Sequence, residues 1–190
     1  MVDIKEQKLL YHLTSLENLS GIFQNGLRPR AQLNAFKDVA DAEILKKRQT
    51  LKLEHYVPFH WFAANPFDGS VQGNKRDTQF VVISVHRSFA IRNGWKIIPR
   101  HPLANDAIQL LDYDQGFEAI EWDVMNQRDY HDPHCKSVCM AECLSPAVVS
   151  AHDFFKIFVP NPEVEALCGA KMRDAGVSVQ IGVNPGMFRR

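Results

Sequence analysis

The 190-residue sequence is short of several things, and each shortage excludes something. It has no net charge, because 22 Lys and Arg are matched by 22 Asp and Glu, so no global basic excess draws it to nucleic acid. No apolar run approaches the roughly 20 residues that cross a bilayer, so no membrane partner is expected. The opening residues lack the apolar stretch of a secretory signal. Four cysteines are too few for a disulfide scaffold, and the expected setting is the reducing cytoplasm. Repeats, low-complexity tracts and Pro/Gly/Ser-rich linkers are also missing, which at this length points to a single domain over residues 1–190.

What is present is ordinary for a soluble globular chain, with 45% hydrophobic and 23% charged residues. The charge is unevenly placed, however. Residues 1–100 hold 15 basic and 9 acidic side chains, and residues 101–190 hold 7 and 13. A zero sum therefore leaves room for a local basic track.

The apolar pattern predicts a mixture of strands and helices. Leu9 to Leu13 reads as a strand ending at Thr14-Ser15, either of which can cap the helix suggested by Leu16, Leu19, Ile22 and Phe23. Asn25-Gly26 stops that helix. A short helix is expected over Ala40 to Arg48, and a strand at a sheet edge over Tyr56 to Phe62, because Pro58 cannot donate to a ladder. Phe80 to Val85 is nearly continuous and β-branched, as in a strand buried on both faces. Pro102 to Leu111 reads as a helix. Phe117 to Trp122, Ser137 to Leu144 and Phe154 to Val159 read as strands. Asn161-Pro162 opens a helix that runs to about Ala175 and stops at Gly176, and Val177 to Val183 closes the set as a strand. Irregular mixing of short strands with helices points to an α+β fold.

Five groups could carry chemistry. In Tyr11-His12-Leu13-Thr14, strand alternation puts His12 and Thr14 on one face, where they could grip a ribose or phosphate; a capping Thr beside an incidental His is the alternative. A two-histidine phosphoesterase needs two His-x-Ser/Thr motifs, so none is expected from His12-Leu13-Thr14 alone. Lys46-Lys47-Arg48 suits either an anion or a solvated helix face. His60 and Trp61, inside a dense aromatic run, are either core or a stacking wall for a flat heterocycle. His131, His134, Cys135, Cys139 and Cys143 raise a zinc site, but no Cys-x-x-Cys occurs and buried thiols are the default, so no metal is expected. Glu142 sits between small and apolar residues, where a carboxylate is either partnered, functional or turned to solvent.

The order of these pieces resembles the DarT family of bacterial DNA ADP-ribosyltransferase toxins. The resemblance rests on Tyr11-His12-Leu13-Thr14-Ser15-Leu16-Glu17-Asn18-Leu19, Ile22-Phe23 and Asn25-Gly26-Leu27, then a basic segment containing Arg48. It continues through Tyr56-Val57-Pro58-Phe59, Ile120-Glu121-Trp122-Asp123, Gln127-Arg128-Asp129-Tyr130 and Ala141-Glu142, covering most of residues 9–160. It implies an ADP-ribosyltransferase-like fold with a split central sheet and flanking helices. It further implies NAD⁺ as the ADP-ribose donor, single-stranded DNA as the acceptor, a cognate antitoxin that removes ADP-ribose from DNA, and a monomer. By position, Glu142 and Arg48 would be catalytic. His12, Thr14, Asn18, Arg48, Phe59 and Trp61 would hold NAD⁺, and Lys46, Lys47, His60, Lys75 and Arg76 would contact the strand. Residues 60–68 depart from the thymidine-modifying pattern and look more like a guanine-modifying branch. The alternatives are an RNA or protein acceptor, or a nucleotide-binding module without activity.

Overall fold

The computed structural model describes residues 3–33, 52–101 and 109–189. Eight strands run in chain order as β1 (Leu9–Ser15), β2 (Val57–His60), β3 (Phe80–His86), β4 (Lys96–Ile98), β5 (Leu111–Asp112), β6 (Glu142–Ser145), β7 (Lys156–Val159) and β8 (Gln180–Val183). They form one sheet in the order β5-β4-β6-β2-β1-β3-β7-β8. Neighbours are antiparallel except β7 and β8, which pair parallel. The helices among the described residues are α1 (Leu19–Asn25), α2 (Pro66–Asn74), α3 (Arg87–Arg92), α4 (Tyr113–Ala119), α5 (Trp122–Gln127), α6 (Pro133–Val138) and α7 (Pro162–Asp174). This is the α+β architecture that the sequence pattern predicts.

Alternation along the central strands separates two apolar faces. One face carries Leu10, Phe59, Val81, Ile83, Val85 and Cys143 into the main core, which is roofed by the helices. The other carries Tyr11, Leu13, Phe80 and Val82 into a smaller cluster with Val71 and Phe67 of α2. Strand β3 is buried from Phe80 to Val85, as its unbroken apolar run requires.

Several boundaries fall as expected. Ser15 caps the 3₁₀ turn that precedes α1, and Gly26 ends α1 at φ 77°. Asn161 caps α7 by accepting from the Val164 N–H, and Gly176 (φ 66°) ends it.

Four expectations fail. β2 is not an edge strand but lies between β1 and β6. Proline is tolerated there because β1 and β2 pair only at Tyr11 and His60 and part beyond that point. In the opening, the Pro58 carbonyl accepts from His12 Nδ1 at 2.8 Å. Residues 117–122 form the end of α4 and the start of α5 rather than a strand, since Tyr113, Gly116, Phe117 and Ile120 recur at helical spacing. Residues 137–138 belong to α6, opened by the Asp132 cap and Pro133, so only 142–145 is strand. Of the helix expected over 102–111, the described end is not helical, because Leu111 begins β5. The helix expected over 40–48 lies outside the described residues.

Candidate active site

The opening between β1 and β2 organises the polar groups. In register across the sheet, Tyr11 faces His60, and His60 faces Glu142 at the first position of β6. Directly opposed residues share a face, so Tyr11, His60 and Glu142 form a polar row on the minor-core side. Glu142 is 6% exposed and His60 5%. His60 stacks on Phe67 of α2 at 5.3 Å, which fixes the ring plane. Burial pushes the Tyr11 phenol pKa up, partly offset by the Arg87 charge.

His12 and Thr14 point to the opposite face. The bond to the Pro58 carbonyl makes His12 Nδ1 a donor, which fixes the neutral ring as the Nδ1–H tautomer. The ring also meets Phe59 at 5.5 Å. Thr14 Oγ1 accepts from Asn18 Nδ2 at 3.2 Å, across the turn from β1 into α1. The structure thus brings together His12 with Phe59, Thr14 with Asn18, and His60 with Glu142, and it places these groups on the two sides of the β1–β2 opening.

Two residues expected to hold NAD⁺, Phe59 and Trp61, are core residues in this structure. Phe59 is 0% exposed and packs on Trp95 at 4.9 Å. Trp61 is 1% exposed, edge-on to Trp122 at 5.1 Å and close to Phe117 at 5.7 Å. Neither offers a ring face to a ligand in this conformation, because aromatic density here serves the main core. Lys75 and Arg76 follow α2 and line an open cleft. Arg48, Lys46 and Lys47 lie outside the described residues.

The sequence does hold a second His-x-Ser, His86-Arg87-Ser88. It does not complete a two-histidine site. His86 is exposed, packs on Phe155 at 4.5 Å, and by alternation faces away from His12.

The residue that sequence reasoning missed is Arg87. It is buried, and it donates to the carbonyls of Leu9 (3.2 Å), Lys5 (2.8 Å), Ile4 (2.8 Å) and Trp61 (3.3 Å). Its guanidinium lies 4.8 Å from the Trp61 ring. It thereby ties the N-terminal segment to the chain leaving His60. No local pattern reveals this, since the partners stand 26 to 83 positions away.

Beyond His60, Asn65 and Asp68 shape the entry into α2. Asn65 Oδ1 accepts from the Asp68 N–H, and Asp68 Oδ2 accepts from the Ala64 N–H and Asn65 Nδ2, each at 3.0 Å. This holds Ala64 at φ 58°, a left-handed conformation in which a non-glycine residue needs support. Asp68 is fully buried, and its Oδ1 has no hydrogen-bond partner among the described residues. Burial pushes its pKa up to about 7 against the opposing pull of those donors. A folded-state pKa above the unfolded value means that stability is full below about pH 4 and is lost as pH rises to about 7. Asp68→Asn is therefore expected to flatten the fall in urea midpoint between pH 5 and pH 8. An equal slope in both proteins would contradict the assignment.

The thiols are structural. All four cysteines are buried and free. Cys135 donates to the Val124 carbonyl at 3.1 Å and Cys139 to the Met125 carbonyl at 3.5 Å. Burial pushes Cys139 up to about 12 and Cys168 up to about 11, so neither is an activated nucleophile. Among the described residues no group of three or more His, Cys, Asp or Glu is placed to hold a metal ion. An Ellman assay on the native protein at pH 8 is expected to titrate none of the four thiols until denaturant is added. Rapid reaction of one thiol in the native state would contradict their burial.

Solved structures share this fold. Thermus sp. 2.9 DarT in complex with ADP-ribosylated ssDNA superposes with a TM-score of 0.82 at 16% identity, covering 97% of each chain. The same protein in complex with NAD⁺ gives a TM-score of 0.79 at 14% identity, covering 97% of this chain and 98% of that one. Thermosipho africanus DarTG in complex with ADP-ribose gives 0.73 at 20% identity, covering 96% of this chain but 51% of that one. Among curated protein sequences none matches.

The fold is thus that of these DarT structures, and in this chain the mixed sheet opens beside its first strand. A family model described as "ssDNA thymidine ADP-ribosyltransferase, DarT" matches residues 11–189, and the chain belongs to the DarT family. It is accordingly an NAD-dependent ADP-ribosyltransferase of single-stranded DNA. That description names thymidine, against the guanine expected from residues 60–68. Among the described residues, no helix is long and apolar enough to cross a membrane.

Proposed function

We propose that Glu142 is the catalytic carboxylate for ADP-ribose transfer to a thymidine base, and that the protein is the toxin of a toxin–antitoxin pair. The observation that carries the catalytic assignment is the placement of Glu142. It is a buried carboxylate at the start of a sheet strand, in register with His60 and one strand away from the β1–β2 opening.

The chemistry needs such a group. When the bond between ribose C1′ and the nicotinamide nitrogen breaks, nicotinamide leaves with the electron pair and positive charge builds on C1′. A carboxylate nearby stabilises that charge, and stabilisation of developing charge is commonly the largest catalytic contribution. The base nitrogen then bonds to C1′ and gives its proton to the Glu142 carboxylate, which acts as general base. The leaving group is already a cationic pyridinium, so it departs neutral without needing a proton.

His12, Thr14 and Asn18 are assigned to the nicotinamide-side ribose and amide, supported by the fixed His12 tautomer and the Asn18–Thr14 bond. Arg48 is assigned to the diphosphate, and Lys46 and Lys47 to the strand, on the family resemblance alone. His60, held by Phe67 beside Glu142, is assigned to the incoming nucleotide. A partner antitoxin that removes ADP-ribose from DNA is assigned on the family resemblance, and the solved DarTG structure holding ADP-ribose is consistent with it. Cytoplasmic location and a monomeric state are part of the same proposal, on the family resemblance alone.

The test is incubation with labelled NAD⁺ and four single-stranded oligonucleotides, each offering one candidate base in an otherwise identical flank. Label on the thymidine oligonucleotide alone is expected. Label on the guanine oligonucleotide alone would overturn the base, and label only on RNA or protein would overturn the acceptor class.

A further inference from the structure

We propose that the part of the sheet face beyond Tyr11 is a docking platform for the nucleotides that flank the modified base in single-stranded DNA. Lys156 and the exposed Phe155 are its principal contacts. The proposal rests on the placement of the reaction beside Glu142, because the platform begins there.

Strand register builds it. Tyr11 opposes Ser84 of β3, and Ser84 opposes Lys156 of β7. Opposed residues share a face, so the polar row of Glu142, His60 and Tyr11 continues through Ser84 to Lys156. Four strand spacings separate Glu142 from Lys156, roughly 19 Å. One nucleotide does not span that distance, but a strand leaving the reacting base can lie along it. Further along the same face, Val71 and Phe67 of α2 cluster with Leu13, Phe80 and Val82. The row runs along the border of that cluster, where Tyr11 and Phe158 are only partly buried.

The aromatic groups beside the row are held in place. Ser84 donates its hydroxyl to the Lys156 carbonyl at 2.8 Å, and the Phe155 N–H donates to the Ser84 carbonyl at 2.8 Å. The Phe155 ring meets His86 at 4.5 Å. His86 follows Ser84 by two positions on the same face and is itself exposed. Phe155 stays 39% exposed, although a phenyl ring gains by leaving water. A backed, exposed aromatic pair is a surface on which an unpaired base stacks.

Lys156 supplies the charge. Its Nζ lies 5.5 Å from the centre of the Phe158 ring. Its side chain also occupies the space that a Cβ at Gly182 would take. Glycine weakens a strand interior, and here it leaves room for the lysine to lie across β8. An ammonium beside aromatic rings matches a phosphodiester joined to stacked bases, the charge meeting one and the ring faces the other.

The test is fluorescence anisotropy over a salt series with two long single-stranded oligonucleotides. One is centred on a thymidine, and the other is a copy whose flanking positions are abasic. Phe155→Ala is expected to weaken the intact strand about tenfold, yet to bind the abasic copy as the wild-type protein does. Phe155→Leu keeps an apolar side chain without the ring face and should lose most of the same affinity. Lys156→Gln should lower the salt slope by about 0.7 on both strands. Leu167→Ala and Arg173→Gln control for loss of an exposed apolar group and of a charge. Both residues are exposed on α7, which packs on the other face of the sheet, and both variants should match the wild-type protein. Wild-type affinity in Phe155→Ala, or a wild-type slope in Lys156→Gln, would overturn the platform, as would equal losses in the two controls. Failure of the Glu142 assignment reads in the transfer rate of Glu142→Gln and failure of the platform in these affinities, so the two are distinguishable.

Discussion

Glu142→Gln is expected to lower the rate of ADP-ribose transfer by about a thousandfold or more while leaving the urea midpoint nearly unchanged. The substitution keeps the shape of the side chain and its capacity to hydrogen-bond, but removes the charge and the proton acceptor. Both losses fall on the transition state, because positive charge on C1′ and the proton released by the base appear only as the bonds change. The effect should therefore appear in turnover, with NAD⁺ affinity altered little. Glu142 lies in the sheet between Ile98 of β4 and His60 of β2, so a bulkier test residue would confuse chemistry with packing. A rate within tenfold of wild type would remove Glu142 from the catalytic role.

Arg87→Ala is expected to cost roughly 3–5 kcal/mol of stability, a large share of the 5–15 kcal/mol typical of a domain. Four backbone carbonyls lose a charged donor at once, and the buried cation leaves a void beside Trp61 and Trp122. Arg87→Lys retains the charge but offers a single ammonium to acceptors arrayed around a planar fork, so it should recover less than half of the loss. Denaturant unfolding followed by tryptophan fluorescence measures both, since two of the indoles sit against the guanidinium. A loss below 1 kcal/mol in Arg87→Ala would show that the network is incidental.

These two residues mark the limits of reading the sequence. Glu142 stood out as a candidate because a carboxylate among Ala141, Cys143 and Leu144 contrasts with an apolar strand and its neighbours match a family order, while its burial on the strand came only from the fold. Strand β3 and helix α7 were legible for local reasons, a β-branched run and an Asn-Pro start with a Gly stop. Arg87 was not, because its function is to satisfy carbonyls that only the fold brings near. The position of β2 was hidden for a related reason. Pro58 forbids a ladder bond, and the sequence cannot say that the chain parts from β1 at that point and that His12 takes the carbonyl instead.

The aromatic run shows the opposite error. His60 and Trp61 are adjacent, yet alternation sends one to the minor face beside Glu142 and the other into the main core. The charge partition was also only half of the matter. Lys75 and Arg76 come from the basic half of the chain, but Arg189 of the acidic half completes their cleft.

The central claim is that this sheet, with Glu142 beside its opening, transfers ADP-ribose from NAD⁺ to single-stranded DNA. The most direct measurement is the mass of a thymidine-containing oligonucleotide after incubation with NAD⁺ and the full chain, with Glu142→Gln in parallel. The prediction is addition of one ADP-ribose to the DNA with equimolar release of nicotinamide by the wild-type protein, and neither by the variant. An unmodified oligonucleotide alongside full nicotinamide release, or a modified one from Glu142→Gln at the wild-type rate, would contradict it.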